Sequence, residues 1–301
     1  MTRIGSLLRE LLAEHAAGTP NGMVEGQVPG VRLYWAQDYV PCTPVLYDAG
    51  LVIIGQGYKI GRLGAREFRY DPQTYLVVSV PMPFECETFA TPEEPLMGVF
   101  IGIDRAMLGE LVDLIDGTAP GAAGAAAGDP GWLGAEPVRL DPGMADAVER
   151  LLLAHGNPAD ARALGPGLAR EVVYRALTGG HGAALRALAR ADTRAACIAR
   201  AIGRIHTGFT GRLPVAELAE EAGLSVSAFH RAFKEVTAET PLQYLKKLRL
   251  NRAKALILHN NLTPSRAAHA VGYESPSQFS RDFRRYFRHP PSEAQNIPGP
   301  P

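Results

Sequence analysis

Leu213-Pro-Val-Ala-Glu-Leu-Ala-Glu-Glu-Ala-Gly-Leu-Ser-Val-Ser-Ala-Phe-His-Arg-Ala-Phe-Lys-Glu-Val236 is the stretch from which the rest of the chain is read. Pro214 suits a first helical turn, where its missing N–H costs nothing. Val215, Leu218 and Ala219 recur at helical spacing, and Gly223 breaks the helix. Ser225 has the chemistry to cap a second helix by accepting from a free N–H of its first turn. In that helix Phe229, Ala232, Phe233 and Val236 share one face, and Ser227, His230, Arg231 and Lys234 share the other. Helix, Gly-containing turn and helix with a polar, basic outer face is a helix-turn-helix. A Phe stripe alone is ordinary core, so one unit leaves packed helices and DNA recognition both open.

The pattern recurs about fifty residues later. Thr263-Pro264 opens a helix carrying Ala267, Ala268 and Val271, and Gly272 ends it. Ser275-Pro276 opens the next, with Phe279, Phe283, Tyr286 and Phe287 on one face. Ser277, Gln278, Arg281, Arg284 and Arg285 lie on or beside the other. Between the units, Thr240-Pro-Leu-Gln243 has capping-box spacing and opens a long helix to about residue 260. That helix carries Lys246, Lys247, Arg249, Arg252 and Lys254. Charge agrees. The 301 residues sum to zero, yet residues 191–301 hold 16 Lys and Arg against 9 Asp and Glu, a net +7. The remaining 15 basic and 22 acidic residues give −7. One strongly basic half is the electrostatic footprint that phosphate binding requires.

From about 198 to 292 the chain resembles the AraC/XylS transcription regulators. The likeness is carried by Arg249-Leu-Asn-Arg-Ala-Lys-Ala-Leu-Ile-Leu, by Val271-Gly-Tyr-Glu-Ser-Pro-Ser-Gln-Phe-Ser-Arg-Asp-Phe-Arg-Arg-Tyr-Phe and by Pro290-Pro291. The resemblance implies two such units joined by one long helix on double-stranded DNA. Its base-reading positions fall on Ser225, Ser227, His230 and Arg231, then on Pro276, Ser277, Gln278, Ser280 and Arg281; Pro276 has no side-chain donor. Arg231 and Arg281 have the bidentate geometry for a guanine edge, Gln278 for adenine, and His230 donates to a guanine acceptor. Lys234, Lys246, Lys247, Arg249, Arg252, Arg284 and Arg285 are expected on phosphate, where they fix register without reading sequence.

The first half reads as β from about 30 to 103, in short runs such as Leu51-Val-Ile-Ile and Tyr75-Leu-Val-Val-Ser-Val separated by Gly and Asp-Pro turn signals. Helices are expected near 5–17, 104–115, 142–155, 166–178 and 182–210, with a Gly/Ala/Pro-rich loop over 117–131 and a hinge at Gly179-Gly-His-Gly. Pro41-Cys-Thr-Pro-Val-Leu-Tyr, Leu51-Val-Ile-Ile-Gly-Gln-Gly and Tyr75-Leu-Val-Val-Ser-Val-Pro resemble the amino-terminal sensing domain of one AraC subgroup. That resemblance implies a cupin-like barrel holding a small effector, helices that pair two subunits as a homodimer, and RNA polymerase as a partner if the outcome is activation. The expected architecture is thus a two-domain α+β chain. Residues 1–190 form the sensing and dimerisation half. Residues 191–301 form an all-α DNA-binding half, with units at about 213–236 and 263–287 and a linker helix at 241–260.

Tyr34, Trp35, Tyr47, Tyr58, Tyr70 and Tyr75 are candidates to line the pocket, equally readable as barrel core. Cys42 is a further candidate if its thiolate is stabilised, although a buried inert thiol is the plainer reading. A cupin-type enzyme fused to a DNA-binding module is the rival. Metal cupins need two or three His with a carboxylate inside the barrel, and only His15 precedes residue 155. A constitutive DNA binder whose first half only dimerises is a third reading. No metal, cofactor or catalytic residue is expected. Three cysteines without a C-x-x-C pair, no signal peptide and no apolar run of ~18 residues point to a reduced, cytoplasmic chain without a membrane span.

Overall fold

The computed structural model describes residues 2–118, 134–180, 182–190 and 193–296. The expected Gly/Ala/Pro loop lies, from residue 119 onward, outside the described residues, as does His181 of the expected hinge. Helix α1 (Arg3–Gly18), capped by the Thr2 hydroxyl, precedes nine strands. These are β1 (Asn21–Glu25), β2 (Val31–Ala36), β3 (Val40–Tyr47), β4 (Gly50–Gln56), β5 (Tyr58–Leu63), β6 (Arg66–Tyr70), β7 (Thr74–Val78), β8 (Met82–Phe89) and β9 (Leu96–Gly102). Helix α2 (Arg105–Thr118) follows, and β10 (Ala135–Arg139) returns to the sheet.

The strands form two antiparallel sheets, ordered β1-β2-β9-β4-β7-β10 and β3-β8-β5-β6. They pack face to face: the Lys59 ammonium on β5 lies 5.1 Å from the ring centre of Tyr34 on β2. The closed cupin-like barrel expected from the sequence is not formed. Between the neighbouring edges β10 and β6 the Arg66–Glu136 ion pair, 2.9 Å, stands where closure would need a backbone ladder. Gly98 on β9 lies opposite Tyr34, and a Cβ there would stand 2.2 Å from the Tyr34 ring, so only glycine lets the phenol cross the sheet.

Helices α3 (Pro142–His155), α4 (Pro158–Ala163), α5 (Gly165–Thr178) and α6 (Gly182–Ala189) make a helical layer. The single helix expected over 182–210 is two, because α7 (Arg194–Gly208) restarts under its own Thr193 cap. The second half contains α8 (Val215–Glu221), α9 (Val226–Thr237), α10 (Pro241–His259), α11 (Pro264–Ala270), α12 (Pro276–Phe287) and a short 3-10 turn at Pro291–Asn296. The first half is thus β-rich with helices and the second wholly helical. One buried core runs from Leu8 and Val52 through Leu151 and Val172 to Phe229, Phe233 and Tyr244. A second, separate core holds Leu250, Ile257, Ala267, Phe279, Phe283 and Phe287.

Candidate nucleic-acid interface

Both helix-turn-helix units form where the sequence puts them. Pro214 stands one place early, at the cap of α8, and Gly223 takes φ 68° in the turn that follows. Gly272 takes φ 85° in the equivalent turn of the second unit, where a Cβ would stand 2.3 Å from the Thr210 carbonyl oxygen. The Ser225 hydroxyl caps α9 by accepting from the Ala228 N–H, and the Ser275 hydroxyl caps α12 by accepting from that of Gln278. Phe229 and Phe233, like Phe279 and Phe283, are fully buried. Burying a Phe stabilises by roughly 1.5–3 kcal/mol, so these pairs set which face of each helix turns inward.

The opposite faces are open. Ser225, Ser227 and Arg231 on the first unit and Ser277, Gln278 and Arg281 on the second are exposed, while His230 and Ser280 are half-buried. All eight expected base-reading residues therefore lie at or near solvent on two helix faces. Ser225 and Ser227 hydroxyls stand 3.3 Å apart. The expected phosphate residues divide. Lys234, Arg252 and Arg284 are exposed. Lys246 pairs with Asp282 at 2.7 Å, Lys247 with Glu239, and Arg285 with Asp282 at 3.0 Å. The Arg249 guanidinium donates to the carbonyls of Phe209 and Gly211, at 2.7 and 2.8 Å, so it closes the loop after α7.

Helix α10 holds the units together. It carries the full capping box between Thr240 and Gln243. Tyr244 stands edge-on to Phe233, accepts from His206 Nε2 at 2.7 Å, and donates to the Pro81 carbonyl of the β-domain. Burial and the nearby Arg252 hold the His206 imidazole down at about 4, neutral at physiological pH. Further along α10, Lys254 lies inside the second core with its ammonium 4.9 Å from the Phe287 ring centre, and burial lowers it to about 8.

In the β-domain a polar cluster sits between the sheets. Tyr47 and Tyr70 hydroxyls are 3.2 Å apart, Tyr70 is 3.1 Å from the Cys86 thiol, and the Lys59 ammonium donates to Tyr47 at 3.4 Å. Thr88, directly opposite Lys59 in the ladder, is fully buried, and no partner accepts or donates at its hydroxyl among the described residues. Burial pushes the Tyr47 and Tyr70 phenols and the Cys86 thiol up, and pushes Lys59 down. Of the pocket candidates, Tyr34, Tyr47 and Tyr70 face this cluster. Four do not. Tyr58 stacks on Phe89 at 4.5 Å beneath the Arg69 guanidinium on the outer face, and Tyr75 faces the helical layer beside Gly179. Cys42 is exposed on β3, 3.8 Å from a Glu85 carboxylate oxygen, and is neither buried nor in the interior. Trp35 faces α1 and donates to the Thr19 carbonyl. The reading of the sequence missed Lys59, Cys86 and Thr88. Strand alternation was the available signal, since Lys59, Gly61 and Leu63 share one face of β5.

Comparison with known proteins places the chain. Residues 27–184 match the family described as the AraC-type transcriptional regulator N-terminus, and residues 218–297 match a helix-turn-helix domain. A putative AraC-like transcription regulator of Streptomyces lividans is 33% identical over 104 residues, 35% of this chain and 34% of that protein. The HTH-type transcriptional activator RhaS of Escherichia coli is 36% identical over 76 residues, 25% of this chain and 27% of that protein. The chain thus spans about a third or less of the length of the relatives it matches. In overall fold it is similar to ToxT of Vibrio cholerae bound to an unsaturated fatty acid, with TM-score 0.59 and 10% identity over 93% of this chain and 96% of that one. ToxT bound to a naphthalenyl-butenoic acid gives TM-score 0.60 and 11% identity over 89% and 98%.

Proposed function

We propose a function on the premise that the chain belongs to the AraC-type transcriptional regulators: it binds double-stranded DNA sequence-specifically and regulates transcription under the control of a small molecule held in its first half. One observation carries the DNA reading. Two recognition helices, α9 and α12, bury paired Phe residues, leave Ser, Gln, His and Arg on open faces, and are both held by one 19-residue helix. Arg231 and Arg281 are the base readers with the largest effect, since a bidentate Arg–guanine pair discriminates by about 1–3 kcal/mol. Lys234 and Arg284 on the same two helices, and Arg252 on α10, all exposed, are assigned to phosphate. Selection of a binding site from random duplex DNA, followed by gel shift, tests the reading. Sequence-independent binding with every duplex equal overturns it.

The interior cluster of Tyr34, Tyr47, Lys59, Tyr70, Cys86 and Thr88 is the candidate effector seat, in place of the closed-barrel pocket. An ammonium and several hydroxyls enclosed in an apolar sandwich suit the polar head of a small ligand with an apolar body. The acids in the two ToxT complexes favour the same kind of molecule. The cluster binds rather than catalyses, because burial keeps the thiol and the phenols protonated and so poor nucleophiles. Thermal-shift screening of the full chain with small carboxylic acids, against a Lys59→Met control, tests it. We assign α2 and the helical layer to a homodimer contact, because Leu114, Leu153, Leu164 and Tyr174 there are exposed. Light scattering decides that point. Among the described residues no helix is long and apolar enough to cross a membrane.

A further inference from the structure

Lys246 and Lys247 are consecutive on α10 and belong by charge with the phosphate contacts, yet both ammonium groups, half-buried, are paired with carboxylates of the protein itself. Lys246 meets the Asp282 carboxylate at 2.7 Å, and that side chain, in the middle of α12, is 10% exposed. Asp282 also accepts from Arg285 at 3.0 Å and from the Tyr273 hydroxyl at 3.5 Å. Lys247 turns the other way, to Glu239 in the turn that joins α9 to α10, and its ammonium lies 5.7 Å from the Tyr286 ring centre on α12. One turn further on, Asn251 donates to the Tyr286 hydroxyl at 3.2 Å. A single stretch of α10 therefore grips the exit of the first recognition helix and the flank of the second.

The apolar contacts beneath, Leu250 and Ile257 against Phe279, Phe283 and Phe287, do not by themselves fix a register, because hydrophobic attraction is non-directional. Charged pairs in fixed positions do. The spacing they fix matters for DNA. Helix α10, at ~1.5 Å per residue, spans about 28 Å, whereas successive major grooves on one face of B-DNA lie ~34 Å apart. Small changes in how α12 leans on α10 decide whether both units reach their grooves together.

We propose that Lys246 and Lys247 are positioning residues that set the half-site spacing this protein accepts, by locking the second recognition helix to the linker and the linker to the first unit. The proposal rests on the DNA-binding reading above. Neither lysine contacts phosphate in this account; each acts through its partner carboxylate.

The test uses the full chain on its selected duplex and on the same duplex with one base pair added or removed between the half-sites. Wild type discriminates against the altered spacings. Lys246→Gln shrinks that discrimination by about fivefold, the worth of one partly buried ion pair of about 1 kcal/mol. On the best spacing it leaves the slope of log affinity against log salt unchanged. The exchange Lys246→Asp with Asp282→Lys restores the discrimination. The single Lys246→Gln change keeps Asp282 bonded to Arg285 and Tyr273, so it does not depend on the exchanged pair folding; thermal unfolding checks both. A slope reduced by about 0.9 with spacing preference intact means Lys246 touches phosphate and overturns the proposal. A wild type that binds well but ignores spacing overturns it while leaving the DNA reading standing. A wild type that binds no duplex sinks both.

Discussion

Phe233 of the first helix-turn-helix unit stands edge-on to Tyr244, whose hydroxyl reaches the Pro81 carbonyl of the β-domain, and the Gly134 N–H donates to the Val236 carbonyl at the end of the same recognition helix. Phe283 of the second unit packs instead against Phe279, Phe287 and His289 of its own unit. Local pattern is the same in both: Gly turn, Ser cap, paired Phe inside, Arg outside. Surroundings differ. The first unit shares a continuous core with the β-domain and helical layer, and the second has a core of its own. A helix-turn-helix pattern thus specifies a face to bury but not the partner it is buried against. The first unit also touches a strand bordering the polar cluster: Pro81, which accepts from Tyr244, precedes Met82, the ladder partner of Tyr47.

The largest expected effect separates the two cores. Phe233→Ala and Phe283→Ala each cost about 3–5 kcal/mol locally. Trp35, buried against α1, makes the tryptophan fluorescence a reporter of the first half. Phe233→Ala lowers the temperature of the tryptophan transition. Phe283→Ala leaves it in place while helical circular dichroism is lost earlier. Equal shifts of the tryptophan transition would mean that the two units unfold as one with the β-domain.

Lys254 gives the second core a pH signature of its own. Its ammonium is buried and lowered from 10.5 to about 8, so between about pH 8 and 10.5 the unfolded chain holds a proton that the folded chain has released. Stability of the second unit therefore rises with pH across that window, and the penalty is fully present below it. Lys254→Met removes the rise and stabilises the unit at pH 7 by about 2–3 kcal/mol. Denaturant melts at several pH values measure both. A variant no more stable than wild type at pH 7 would mean that the amine is solvated.

On DNA the units are expected to behave alike. Arg231→Ala and Arg281→Ala each cost about 1–3 kcal/mol on the selected site and much less on unrelated duplex. Equal losses on both duplexes would return the arginine concerned to a phosphate role.

The smallest effect is local. Arg288 ends α12 in the left-handed region at φ 69°, as Ala238 ends α9 at φ 59°. Arg288→Gly relieves strain at an open cap and raises the stability of the second unit by about 1 kcal/mol. Ala238→Gly yields less, because the Ala238 methyl packs near Gly64 of the β-domain. Thermal melts that rank the two the other way would argue against the shared core.

The second half was legible nearly residue by residue, because caps, Gly breaks and Phe spacing are local signals: Ser225, Thr240, Ser275, Gly223 and Gly272 all stand where their chemistry put them. The first half was less so. Strands β1, β5, β8 and β10 went unread, and β10 reaches its place only by pairing with β7, some sixty residues earlier in the chain. Sheet closure likewise depends on which edges meet, and period-two alternation does not carry that information. Cys42 and Tyr58 were mis-sided because a β-bulge between Val40 and Thr43 and the short β5 leave too few residues to set the phase. Engagement of Lys246, Lys247 and Arg249 was invisible too, since basic residues on an exposed helix read alike until their partners across the fold are known.

DNA binding as proposed requires both recognition helices to read adjacent major grooves of one duplex. Footprinting of the full chain on its selected site tests it most directly, with methylation interference to mark guanine N7. Two protected segments are expected on one face, about one helical turn apart, one sensitive to Arg231→Ala and the other to Arg281→Ala. Protection of a single segment that neither substitution alters would contradict it.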